Sequence, residues 1–179
     1  MAWTAPTTAV AGGVFSAAQF NQTVRDNLNA TSTAVATQVS SWFPASGVNT
    51  LAERVPVQAN TQGSSTTTSA AYGNLADGVT TSVSVATGNR ALVSIYANFL
   101  NNPGGSTSRS WMSFDIGGAT TLAATDFLSI DHSFNGGMRW GASFLMTGLT
   151  PGTNSFTLRY RVTAGTGTFS VRRIAVIPF

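Results

Sequence analysis

From Arg54 to the C-terminus, apolar and polar residues alternate with a period of two in short runs, the signature of half-buried strands. The runs fall over 54–58, 65–72, 79–86, 90–100, 108–116, 126–133, 138–147, 154–163 and 168–177. Turn residues separate them: Asp77-Gly78, Gly88-Asn89, Asn102-Pro103-Gly104-Gly105, Gly117-Gly118, Asn135-Gly136-Gly137, Pro151-Gly152 and Gly165-Thr166-Gly167. The alternation assigns an inner face to each run. Ala91, Val93, Ile95, Ala97 and Phe99 form one inner row, and Phe156, Leu158, Tyr160 and Val162 form another, with Arg159 and Arg161 pointing away. Met112, Phe114 and Ile116 make a third, and Trp140, Ala142, Phe144 and Met146 a fourth. Eight or nine strands without βαβ alternation predict a mainly β domain over 54–179, an antiparallel, jelly-roll-like β-sandwich.

The opposite phase is less polar than an isolated sandwich requires. Leu92, Tyr96, Leu100, Trp111 and Leu145 all occupy outward positions, which predicts a covered surface: an oligomer face or a ligand face. The ending Ile174-Ala175-Val176-Ile177-Pro178-Phe179 is apolar on both phases, as in a strand buried on both sides. The inward phase switches between Val171 and Ile174, around Arg172-Arg173. The chain's own arm or a second copy of the chain could cover such a face, and a second copy is at least as good a cover, since closed symmetric oligomers are common.

The first 53 residues carry a different pattern. Residues 1–15 lack periodicity and hold Pro6 and Gly12-Gly13, so they predict an extended arm. Ser16-Ala17-Ala18-Gln19 is a capping box, with Phe15 and Phe20 placed as a hydrophobic staple. A helix over 17–29 would set Phe20, Val24 and Leu28 on one stripe, and a rod this short needs that stripe buried against something. Ser41-Trp42-Phe43-Pro44 ends any continuation, and 44–53 form a connector. The expected organisation is an anchoring arm over 1–53 and a sandwich over 54–179.

Composition narrows the function. The 179 residues hold no cysteine, one histidine, six acidic groups and nine basic ones, for a net charge of +3. Without thiols there is no disulfide framework, thiolate metal site or cysteine nucleophile. All nine basic residues are Arg, so the pI of 10.2 reflects guanidinium groups that never deprotonate rather than a strong positive field. Two readings of the missing Lys stand side by side: genomic base composition, or Arg chosen for bidentate contacts across interfaces. Only Arg172-Arg173 are adjacent, which is not the clustered basic face of a nucleic-acid binder. No apolar run approaches a membrane span, and the N-terminus lacks the features of a secretory signal.

The chemistry search returns little. No nucleophile elbow, phosphate loop or zinc helix motif is present. Asp126, Asp131 and His132 could form a metal site only if strand alternation did not send Asp131 and His132 to opposite faces. Glu53, Asp77 and Asp115 stand in no catalytic context, and Arg25-Asp26 suit a local or interface ion pair. The expectation is no cofactor, no metal, no nucleic acid, no membrane and no enzyme activity. Trp111, Tyr96 and Trp140 leave room for a sugar-stacking platform, with a host glycan as ligand.

One segment resembles a known family. Trp3-Thr4-Ala5-Pro6, Ala11-Gly12-Gly13-Val14-Phe15-Ser16-Ala17-Ala18-Gln19-Phe20-Asn21 and Val24-Arg25-Asp26-Asn27-Leu28 are similar to an N-terminal signature in virion proteins of tailed bacteriophages and prophages. That pattern is a Trp near the start, a Gly before a small-residue cap and an Asn-x-x-x-Arg-Asp-Asn-Leu helix; Phe20 stands here where Leu is usual. The resemblance covers about thirty residues, and a looser one involves Leu149-Thr150-Pro151-Gly152 and Arg172-Arg173-Ile174-Ala175-Val176-Ile177-Pro178. It implies a structural protein of the virion, assembled in the host cytoplasm, in about three copies, with major capsid or tail proteins as partners. The anchoring residues it implies are Trp3, Phe15, Phe20, Val24, Arg25, Asp26, Asn27 and Leu28. Capsid decoration is the first placement, and a minor tail or tail-fibre role is the alternative.

Overall fold

The computed structural model describes residues 13–14, 16–21, 24, 36–47, 50–103, 105 and 107–179. Its contacts divide the chain between Val55 and Pro56 into two units. In the first, Ser16 and Gln19 form the expected capping box. The Gln19 amide donates to the Ser16 hydroxyl (3.2 Å), and the Ser16 amide donates to the Gln19 side-chain oxygen (2.9 Å), opening α1 at Ala17–Phe20. Apart from Asn21 and Val24, the rest of the expected helix lies outside the described residues. Two short strands, β1 (Ala45–Gly47) and β2 (Thr50–Leu51), pair antiparallel, and Trp42 bridges Arg54. Glu53 accepts from the Thr37 amide and hydroxyl (2.8 and 2.6 Å) and the Gln38 amide (3.0 Å). Those hydroxyl and amide donors, Thr37 and Ser41 first, hold its carboxyl down at about 2.

The second unit carries nine strands: β3 (Val57–Thr61), β4 (Ser65–Thr67), β5 (Ser82–Thr87), β6 (Arg90–Asn102), β7 (Ser110–Gly118), β8 (Ile130–His132), β9 (Met138–Thr147), β10 (Gly152–Val162) and β11 (Thr166–Pro178). Setting aside the short β4, the first strand pairs with the last, β3 with β11. The second pairs with the seventh, β5 with β10; then come β6 with β9, and β7 with β8, all antiparallel. The chain is thus one long hairpin doubled on itself. Pairing of β11 with β6 and of β10 with β7 rolls it into two sheets, β3-β11-β6-β9 and β5-β10-β7-β8. That connectivity is an antiparallel jelly-roll sandwich.

The inner rows close the core. Val93, Ile95 and Phe99 of β6 and Phe169, Ile174 and Val176 of β11, side by side in one sheet, are buried against Met112, Phe114 and Ile116 of β7 and Phe156, Leu158 and Tyr160 of β10 in the other. Burying each large side chain stabilises by about 1.5–3 kcal/mol. Phe169 stacks beside its ladder neighbour Phe99 at 5.9 Å between centroids and reaches across the sandwich to Tyr160 at 4.8 Å.

Five expectations need correction. The run 54–58 becomes a strand only from Val57, and 65–72 stops at Thr67. There the Ser69 amide donates to the Thr67 hydroxyl and the Ser69 hydroxyl to the Ala71 carbonyl, local bonds that replace the ladder. The run 126–133 splits into a 3-10 turn at Asp126–Leu128 followed by β8. The buried Ser113 hydroxyl, facing the Thr125 and Leu128 carbonyls at 2.9 and 2.8 Å, holds that turn across the outside of β7. Trp140 keeps its inner phase yet is 42% exposed, because β9 is a sheet edge with no strand beyond it among the described residues. The last strand is central but open on one side, leaving Ile177 exposed. The phase switch near Arg172 is a β-bulge: the register with β6 slips between Ser170 and Arg173, with Val171 at φ 51°.

Candidate functional surfaces

The five outward residues predicted as one face are divided between two. Leu92, Tyr96, Leu100 and Leu145 lie on the outer face of the five-stranded sheet, whereas Trp111 belongs to β7 in the other sheet. Of the anchoring residues, Phe20 and Val24 are exposed; Trp3, Phe15, Arg25, Asp26, Asn27 and Leu28 lie outside the described residues.

The outer face of the four-stranded sheet is a network of paired charges. Alternation sends Arg159 and Arg161 of β10 outward, opposite β7. Arg159 Nε donates to Asp115 at 2.6 Å, and Arg159 also meets the Asn74 side chain. Arg161 forks onto Asp126 with Nε at 3.0 Å and Nη2 at 2.5 Å, while the Tyr72 hydroxyl donates to the same carboxylate at 2.8 Å. Arg161 holds the Asp126 carboxyl below its usual range. Burial first, and then donation to Asp126, pushes the Tyr72 phenol up to about 12. Arg161 also lies 4.8 Å from the Trp111 ring and 5.3 Å from Tyr72, and Arg109, paired with Asp131 at 3.1 Å, lies 5.8 Å from Trp111. The Trp111 ring is therefore engaged by two guanidinium groups. A sugar stacking there would have to displace one.

His132 does not join Asp131. It points inward, is buried, meets Phe99 edge-on at 5.7 Å, and places Nε2 at 2.9 Å from the Gly136 carbonyl. Alternation had separated the two side chains, and Asp131 is committed to Arg109 on the opposite face.

Two features escaped the sequence. One is Arg172, fully enclosed at the bulge. Its Nη2 donates to Asp77 at 3.1 Å and lies 3.4 Å from the Gly63 carbonyl, while Nε and Nη1 have no partner among the described residues. The guanidinium lies 6.0 Å from the Tyr160 ring, whose phenol burial pushes up to about 12. Burial works against the Asp77 carboxylate, but the Val79 amide and Arg172 outweigh it and keep its pKa below the ordinary value. The bulge signal at 171–174 was legible; the partner, ninety-five residues away, was not.

The other is the pattern of the five-stranded outer face. Register sets Ile177, Leu92 and Leu145 side by side across β11, β6 and β9, and Arg173, Tyr96 and Gly141 four residues further along. A Cβ on Gly141 would collide with the Ile95 carbonyl oxygen and crowd Tyr96, so only glycine fits beneath that tyrosine. Arg90, Arg139 and Arg173 share this face and have no acidic partner among the described residues. A shallow depression lined by Pro56, Gln58, Ala175 and Ile177 continues it at β3. Among the described residues no group of His, Cys, Asp or Glu could hold a metal, and no helix is long and apolar enough to cross a membrane.

No protein-family model and no curated protein matches the sequence. Among solved structures, the chain is similar to Eiger TNF from S. frugiperda at 14% identity, with a TM-score of 0.44 over 69% of this chain and 92% of that one.

Proposed function

We propose that the chain is a non-enzymatic structural protein of a tailed-phage virion, displayed on the capsid as a decoration protein and anchored through its N-terminal segment. The observation that carries the reading is the use of its charges. Each of the four aspartates in the jelly roll is committed to an arginine, and the one histidine sits against a backbone carbonyl. Chemistry needs an acid, base or nucleophile free to meet a substrate. Here those groups hold the scaffold, while the surface left over is apolar and arginine-bearing, which suits contact with other protein subunits. The N-terminal signature, whose capping box is formed at Ser16 and Gln19, supports the anchoring role.

Deleting residues 1–30 tests this on phage particles. Loss of the protein from purified particles, with the jelly roll still folded by circular dichroism, is expected. Particles that carry the truncated protein at wild-type level overturn the anchor. Cross-links from the N-terminal segment to tail proteins alone would replace capsid decoration by a minor tail or fibre position.

A further inference from the structure

A sandwich of two open sheets has four edges, each a row of unpaired backbone groups that invites another strand. Three are blunted here. β3 is five residues long and follows Pro56, β8 is three residues long, and β5 is six residues long with only Ser82, Ser84 and Ala86 on its outer phase. The fourth is not. β9 runs for ten residues in unbroken register with β6, from Arg90 opposite Thr147 to Phe99 opposite Met138, with no proline, no bulge and Arg139 as its single charge. It is also apolar on both faces: Met138 and Trp140 on the inner phase are 50% and 42% exposed, and Leu145 on the outer phase is 61% exposed. Phe134, just before it, is 69% exposed. Such an edge is a predicted aggregation site in a solitary protein, and a finished one if something pairs with it.

We infer that β9 pairs edge to edge and antiparallel with β9 of a second copy, about a twofold axis at Ala142. The strand is complementary to itself in that register. Residues directly opposite in an antiparallel pair point the same way, so Met138 meets Met146 of the other copy and Trp140 meets Phe144, an aromatic pair on the inner side. On the outer side Arg139 falls opposite Leu145 and Gly141 opposite Ser143. The two Arg139 are six residues apart along the ladder, about 20 Å, so like charges do not meet. The strand holds no acid to select a basic partner and one cation to attract an acidic one, and a copy of itself satisfies its full length. The two five-stranded sheets become one sheet, and the exposed inner-phase residues Met138 and Trp140 of both β9 strands gain apolar neighbours from the other copy. This pairing stands whether or not the protein belongs to a virion.

The absence of cysteine makes the test direct. On the axis, Ala142 lies beside Ala142 of the other copy, at about 4.5–5.5 Å between Cα atoms, within disulfide reach. Full-length Ala142→Cys should oxidise to a covalent dimer at least tenfold more than Thr147→Cys, and unmodified protein at tens of micromolar should sediment as two copies of 18.5 kDa. Neighbouring amides on a strand point opposite ways, so one of Ala142→Pro and Ser143→Pro removes a donor facing the second copy and spares the β6 ladder. The variant that keeps its melting temperature should dissociate at least 100-fold more readily. A one-copy or three-copy mass, equal cross-linking of the two cysteine variants, or a folded pair of proline variants that both stay dimeric each overturns the pairing.

Discussion

A guanidinium keeps its charge at any pH a protein survives, so Arg172 needs a counter-charge for as long as the sandwich is closed. Asp77 supplies it from a position that water still reaches, with 29% of its side chain exposed. Two of the Arg172 nitrogens remain without partners, so the desolvation of this charge is only partly offset. Two opposite outcomes follow for the two ends of one ion pair. Asp77→Asn strands a buried charge and should lower stability by about 1–3 kcal/mol in urea unfolding. Arg172→Met removes the charge together with its burden and should change stability by less than about 1 kcal/mol in either direction. A loss from Arg172→Met equal to that from Asp77→Asn would show the pair to be a net stabiliser. The pH dependence has a definite sign. The Asp77 pKa is lowered on folding, so its contribution is present in full above the ordinary value of 3.8 and disappears as pH falls through the lower folded value. Urea midpoints of wild type and Asp77→Asn should therefore converge under strongly acidic conditions.

At the scale of elements, the bulge that turns Arg172 inward places a β-branched residue at positive φ. Val171 sits at φ 51°, a conformation that is strained for valine and free for glycine. Val171→Gly should leave the melting temperature unchanged or raise it, whereas Val176→Gly, in a buried strand position, should lower stability by several kcal/mol. A drop of similar size for both in calorimetry would deny the strain. The same strand shows how far alternation reaches. The pattern located β9 residue for residue, and β6, β7, β10 and β11 to within a few positions, because each carries an apolar row along its inner phase that fixes its register. It overran at Ser69 and at Asp126, where side-chain hydroxyls hold turns against the ladder, a competition that polarity alone does not reveal. Exposure was harder still. Trp140 and Ile177 obey their predicted phases but are not covered, since coverage depends on which strand neighbours which, and strand order is a long-range property. For the same reason Trp111 was grouped with Leu92 and Tyr96, although the two sheets carry them on separate faces.

At the scale of the whole molecule, the charges sort themselves by sheet. Residues 1–55 hold Arg25, Arg54, Asp26 and Glu53 and are neutral; residues 56–179 hold seven Arg and four Asp, which is the entire net charge of +3. The four Asp are matched one to one by Arg172, Arg159, Arg161 and Arg109. The surplus is Arg90, Arg139 and Arg173, and strand register places all three on the outer face of the five-stranded sheet. A small net charge thus becomes a one-sided field: Arg139 and Arg173 lie on one side of the apolar row Ile177–Leu92–Leu145, and Arg90 lies on the other, about 20 Å or more from them along β6. Such a face should dominate adsorption to an anionic surface, because ion pairs on the other sheet cancel at short range. Retention on a sulfonate resin should therefore collapse in Arg90→Gln/Arg139→Gln/Arg173→Gln. It should stay at the wild-type salt concentration in Arg161→Gln/Asp126→Asn, which removes one charge of each sign from the opposite face. Elution of the triple variant at the wild-type position would place the effective positive charge elsewhere, and with it the side of the molecule that an acidic neighbour would meet first.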